Sequence, residues 1–223
     1  MFRIKICGIT HRPDAFVAAA LGADAIGLNF FEGSPRYLPP SLAGNVAAAI
    51  PRGVAKVGVF VNPTAEEVNR LAKRLRLDFI QLAGDEPPEL IAQLAGQRVI
   101  KSFRFGADGI GPLLDFLDEA ARHGAQPAAV LIDSSSPGQF GGTGVTADWG
   151  RLAKKLEQIR SRPMHVMLAG GLTPENITEA ITTVKPAAVD VASGVEYSPG
   201  RKDASRVSQF IESAIAAFAD TTK

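Results

Sequence analysis

The sequence predicts a single closed (β/α)8 barrel spanning residues 1–223. Short β-branched runs alternate with longer alanine- and leucine-rich segments along the whole chain, the pattern of a parallel sheet with helical crossovers. There are eight such units of about 28 residues each, the number that closes a ring. No linker divides the chain into two domains. An open doubly wound sheet is the alternative. No G-x-G-x-x-G follows the first strand, however, and "GGTG" at 141–144 fits neither that spacing nor a lysine-bearing phosphate loop.

The strands follow in order. "RIKIC" (3–7) and "AIGLN" (25–29) come first, then "AKVGVFV" (55–61). The helix after it, "TAEEVNRLAKRLR", starts behind Asn62-Pro63-Thr64 and carries Val68, Leu71 and Leu75 at three- and four-residue spacing. "DFIQL" (78–82), "RVIKSF" (98–103), "AAVLID" (128–133) and "PMHVMLA" (163–169) continue the series. Thr173-Pro174-Glu175 then predicts a helix start. "AAVDVA" (187–192) is the eighth strand, and "SRVSQFIESAIAAF" closes the chain with Val207, Phe210, Ile211 and Ile215 on one face.

Composition narrows the function. The chain is long enough to bury a core without staples, and 46% of its residues are apolar. Lysine plus arginine number 24 against 23 acids, so no charge excess points to nucleic acid or a membrane surface. One cysteine among 223 residues makes no internal disulfide. No apolar segment follows a basic start as in a cleavable leader. "AFVAAALGADAIGLNFF" is broken by Asp24 and two glycines, which argues against a membrane span. A cytoplasmic protein is expected.

In a barrel, chemistry gathers where strands end. Strand residues alternate faces, so Lys5 and Cys7 turn inward while Ile4 and Ile6 pack outward. A thiol there, near a lysine, can be held as thiolate; a small buried hydrophobe is the plainer account. Asp133 ends an apolar run where a carboxylate needs partners, and a loop salt bridge is its plainer role. Strand six lies three places from strand one, so Cys7 and Asp133 can face each other as base and acid. Gly170-Gly171 and Ser193-Gly194 follow strands seven and eight, where barrels build phosphate sites.

Other positions join these. Asp190 points inward beside strand one, toward a ligand or toward Lys5. Arg36, in "GSPRYL", can grip a carboxylate in bidentate fashion, or be an ordinary surface arginine. Gln81, near the end of strand four, is a candidate substrate contact. Residues 134–146 form a glycine- and serine-rich loop, a lid or a connector. Lys101 allows a Schiff-base reading. His11, His123 and His165 are scattered, so no metal site is expected.

Taken in order, "KICGIT", "GADAIGLNFFEGSPR", "VGVFVN", "DFIQLAGDE", "LIDSSSPGQFGGTGVTADW", "LAGGLTPENI" and "VDVASGVEYSPGRKD" resemble the phosphoribosylanthranilate isomerases of tryptophan biosynthesis. The resemblance implies a cofactor-free Amadori rearrangement of a phosphoribosyl small molecule. It implies Cys7 as base, Asp133 as acid, Arg36 on the anthranilate carboxylate, phosphate in the last two loops, and Asp190 in support. Two positions depart from the family pattern: Ala83 replaces a usual histidine, and Ala147 an aromatic. They imply a roomier pocket and weaker binding. Another phosphosugar barrel enzyme, or a non-catalytic phosphate binder, is the competing reading. Oligomeric state has no sequence signal.

Overall fold

Eight parallel strands close on themselves in chain order: β1 (Ile4–Ile6), β2 (Ala25–Asn29), β3 (Ala55–Phe60), β4 (Phe79–Leu82), β5 (Val99–Arg104), β6 (Ala129–Asp133), β7 (His165–Ala169) and β8 (Ala188–Val191). The computed structural model describes residues 1–94, 96–134, 148–159, 162 and 164–221. The ring is sealed by β1 and β8, with Lys5 opposite Asp190. Helices α1 (Arg12–Ala20), α2 (Pro40–Ala47), α3 (Ala65–Leu75), α4 (Pro88–Gln93), α5 (Gly111–Arg122), α6 (Trp149–Leu156), α7 (Ile177–Val184) and α8 (Ala204–Asp220) follow the strands. The expected fold class is met. No described helix is long and apolar enough to cross a membrane.

Two cores result from the alternation of strand side chains. Ile4, Ile6, Val130 and Ile132 pack outward with the helices, whereas Ala25, Val57, Phe79, Ile100, Ala129 and Met167 fill the barrel. Fully burying each large apolar side chain is worth roughly 1.5–3 kcal/mol. Higher in the barrel the filling turns polar: Lys5, Gln81 and Asp190 are all buried.

Sequence signals set most helix ends. Thr64 accepts a hydrogen bond from the Glu67 N–H (3.2 Å) at the start of α3, and Asp203 accepts from Ser205 and Arg206 at the start of α8. Two expectations shift. The α7 helix begins at Ile177 rather than behind Thr173, because the Asn176 side chain ties down the turn, accepting from Thr173 N–H and donating to Gly171 C=O. On α8, Ile215 is 55% exposed while Ala214, Ala217 and Phe218 are buried, since the 3.6-residue period carries the buried stripe past it. The sequence also gave no sign of the hairpin β9 (Glu196–Ser198) and β10 (Arg201–Lys202), which follows the short 3-10 turn Ser193–Val195.

Candidate active site

Cys7 lies one residue past β1, its N–H still donating to Val191 C=O (2.8 Å). It is 9% exposed. Across on β2 stands Gly27, where an added Cβ would meet Cys7 Sγ at 2.6 Å and Lys5 Cε at 3.1 Å. Thiol and lysine therefore lie side by side over a glycine. Lys5 is wholly buried and donates to Asp190 Oδ1 and to Gln81 Oε1, each at 2.8 Å. The Gln81 amide nitrogen in turn donates to Ser102 Oγ (3.1 Å). Gln81 thus spends both ends of its amide inside the barrel, below the mouth.

This setting bears on the two readings of Cys7 left open by the sequence. Burial foremost, then the Asp190 carboxylate, pushes the Cys7 thiol up, and the nearby Lys5 and Lys202 ammonium groups offset only part of that. Lys5 responds in the opposite sense to its own burial. Desolvation is its largest influence and disfavours the charge, but Asp190 and Cys7 together raise it. Both directions favour the proton-bearing form of each group: the ammonium on Lys5 and the thiol on Cys7.

On the loop side, Arg36 grips a carboxylate, but an internal one. Its Nε and Nη2 bond both oxygens of Glu196 (2.7–3.1 Å), leaving Nη1 outside the pair. Glu196 also holds Lys202 Nζ (2.8 Å), which donates to Ala192 C=O as well. Burial lowers the Lys202 ammonium. It also works against the Glu196 charge, but Arg36 and Lys202 outweigh it and hold that carboxyl below its usual range. Gly8, at φ +74, lets the Arg36 stem cross the backbone beside Cys7, because a Cβ there would collide with Arg36 Cδ.

Asp133 ends β6 half-buried, in phase with the inward-facing Ala129 and Leu131. Ser134 follows and donates to Ala169 C=O (2.9 Å). The remainder of the 134–146 loop, and Ala147, lie outside the described residues. Past β7 and β8, Gly171, Thr173, Ser193, Gly194 and Arg206 help line a cavity of about 300 Å³, with Gly170 just before it. A Cβ on Gly194 would run into the Leu172 carbonyl, so the two loops meet backbone to backbone. A larger cavity, about 640 Å³, opens at the opposite end around Phe2, Lys56 and Phe79. It lies where strands begin, away from Cys7 and Asp133.

Ala83 is exposed directly past β4, with its N–H bonded to Phe60 C=O (2.8 Å). Lys101 faces outward instead of toward the mouth. Its ammonium pairs with buried Glu86 (3.1 Å) and donates to Gly84 C=O (2.7 Å), so the Schiff-base reading is withdrawn. The histidines bond locally: His11 with Thr10 (2.8 Å) and His123 with Glu89 (3.0 Å). Among the described residues one group, Glu89, Glu119 and His123, brings three possible metal-ligand atoms within 4.8 Å. It sits on the outer helices, and the scatter of histidines in the sequence did not foretell it.

The amino-acid sequence of the chain matches a family model. The model, N-(5'phosphoribosyl)anthranilate (PRA) isomerase, covers residues 4–213. The chain belongs to this family. The N-(5'-phosphoribosyl)anthranilate isomerase of Geobacter metallireducens is 46% identical over 96% of this chain and 99% of its own length. The phosphoribosyl anthranilate isomerase structure from Thermotoga maritima superposes with a TM-score of 0.84 at 37% identity, covering 97% of this chain and all of that one. A further isomerase structure, in complex with reduced 1-(o-carboxyphenylamino)-1-deoxyribulose 5-phosphate, gives 0.80 at 35% identity, again over 97% and 100%. The isomerase family expected from the sequence is therefore met. Glu196, Lys202 and Glu86 were not singled out beforehand. The first two had a faint signal in "EYSPGRK", where Pro199-Gly200 can turn the chain so that acid and base face each other.

Proposed function

We propose that this isomerase-family barrel converts N-(5'-phosphoribosyl)anthranilate to 1-(2-carboxyphenylamino)-1-deoxyribulose 5-phosphate, with Cys7 as general base and Asp133 as general acid. The observation that carries the reading is the placing of the sole thiol and the β6 carboxyl on inward-facing strand ends of one mouth, at which the β7 and β8 loops form a cavity. Asp133 gives its proton to the ribose ring oxygen as the C1–O bond breaks, leaving a Schiff base at C1. The Cys7 thiolate takes the proton from C2, and the C2–H electrons form the enolamine. As the carbonyl forms at C2 its hydroxyl proton passes to the Asp133 carboxylate and C1 takes the proton held by the Cys7 thiol, which completes the rearrangement and restores both groups. A sulfur whose pKa is raised by burial is a stronger base once ionised, which suits proton removal from carbon.

The other groups divide the substrate. Arg36 meets the anthranilate carboxylate through Nη1, the nitrogen that Glu196 leaves outside its pair. Gly170, Gly171, Ser193 and Gly194 border the phosphate, while Gln81 and Asp190, each bonded to Lys5, face the substrate from inside the barrel. The reading calls on no cofactor. It makes the whole chain one barrel domain of cytoplasmic tryptophan biosynthesis, acting on a phosphoribosyl small molecule. The test is the loss of fluorescence of phosphoribosylanthranilate generated in situ. The purified protein should accelerate that loss with saturation kinetics, and a folded protein that leaves the rate unchanged would sink the proposal.

A further inference from the structure

Lys5 is a fully buried ammonium to which the reaction just described assigns no chemical step. An ionised group with no exposure persists only when paired and hydrogen-bonded. A lysine has three donors; Asp190 and Gln81 take two of them from the β8 and β4 sides. The stem passes Gly27 in contact with the same small volume that Cys7 Sγ fills. The third donor is thus left for the sulfur side of the barrel.

We propose that Lys5 is the positioning residue for the base: its fixed ammonium is the counter-charge against which the Cys7 thiolate forms, and Asp190 and Gln81 hold it there. This rests on Cys7 being the base. Among the described residues, the charges that act on the thiol are few. Lys5 comes from β1 itself, Asp190 from β8, Lys202 from the hairpin, and Arg36 crosses the adjoining Gly8; β2 offers a glycine and β4 the neutral Gln81. Lys5 and Lys202 favour the thiolate and Asp190 opposes it. Removing Lys5 and removing Asp190 must therefore move the thiol in opposite directions. A bond that merely braces the barrel has no such sign.

The experiment titrates the ultraviolet absorbance of the thiolate in the full chain. Cys7 is the only cysteine, so subtracting the curve of Cys7→Ala leaves one titrating sulfur. In Lys5→Met the midpoint should rise by at least about one pH unit, a tenfold smaller thiolate fraction at neutral pH. kcat should fall at least about tenfold while KM changes less. In Asp190→Asn the midpoint should fall. If Lys5→Met leaves Asp190 stranded and does not fold, Lys5→Met/Asp190→Asn removes both charges, and its midpoint should lie above that of Asp190→Asn. An unmoved midpoint in folded Lys5→Met, or shifts of the same sign in both single variants, overturns the proposal. Because the titration needs no turnover, its failure is distinct from that of the proposed reaction. Shifts of the expected signs in the two variants of a protein whose wild type does not isomerise would uphold the Lys5–Cys7 coupling and remove only its use in this chemistry.

Discussion

At the scale of single residues, the acid and the base separate cleanly in kinetics. Cys7→Ala should abolish most of kcat while substrate still binds, and Cys7→Ser should recover little, since a hydroxyl is a poor base near neutral pH. Burial and Asp190 push the Cys7 thiol up, so the limb of the kcat/KM profile that reports Cys7 should lie above the ordinary thiol range of about 8.5. A limb assigned to Cys7, by its loss in Cys7→Ser, at or below that range would contradict the ordering. Asp133→Asn keeps shape but donates no carboxylic proton; kcat should drop ~100-fold or more with a smaller change in KM. Exposed Ala83 leaves open space where relatives are expected to carry histidine. Ala83→His should lower KM, by at most about 1.5–3 kcal/mol of binding for one hydrogen bond to a charged group, with little change in kcat.

Elements explain what the sequence could and could not reveal. Every barrel strand was legible, because inward and outward residues alternate and the flanking helices repeat at their own period. Asp190 was readable for the same reason: its parity with Ala188 put it inside the barrel, opposite Lys5. The β9–β10 hairpin was not, since strands of three and two residues carry no periodicity. Nor could Glu196 be seen as the partner of Arg36, 160 residues away in the chain. Charge pairing at that separation is a product of ring closure, and one sequence does not display it. The hairpin should also be felt in binding. Glu196→Gln weakens the hold on Arg36 and Lys202 together, so ligands bearing the anthranilate carboxylate should lose affinity more than a simple ribose phosphate. Equal losses, measured by calorimetry on both ligands, would detach Arg36 from carboxylate recognition.

Across the whole molecule, polar groups are buried where two layers of packing meet. Lys101 and Glu86 form an ion pair between the barrel and the outer helices, 3% and 1% exposed. Glu86 also accepts from the Asn62 and Gly84 N–H groups. Removing one partner of such a pair leaves an unpaired charge, at a cost of about 3–5 kcal/mol. Glu86→Ala should therefore lower the denaturant midpoint sharply without changing which substrates are used, whereas a shift within error would mean that the pair contributes nothing. The sequence offered Lys101 only as a chemical group, because the register that turns it outward is set by Ile100 entering the barrel core.

Gly27 carries a consequence of another kind. The reactive thiol and its neighbouring ammonium occupy the room that a β2 side chain would otherwise claim. Their alignment is therefore moulded by a vacancy in the adjacent strand, which does not titrate, is not screened by salt and cannot be outcompeted by a ligand. Enlarging that position even to alanine would wedge the pair apart while leaving every charge in place. The spacing of the chemistry is thus inherited from the steric shape of a residue with no functional group at all.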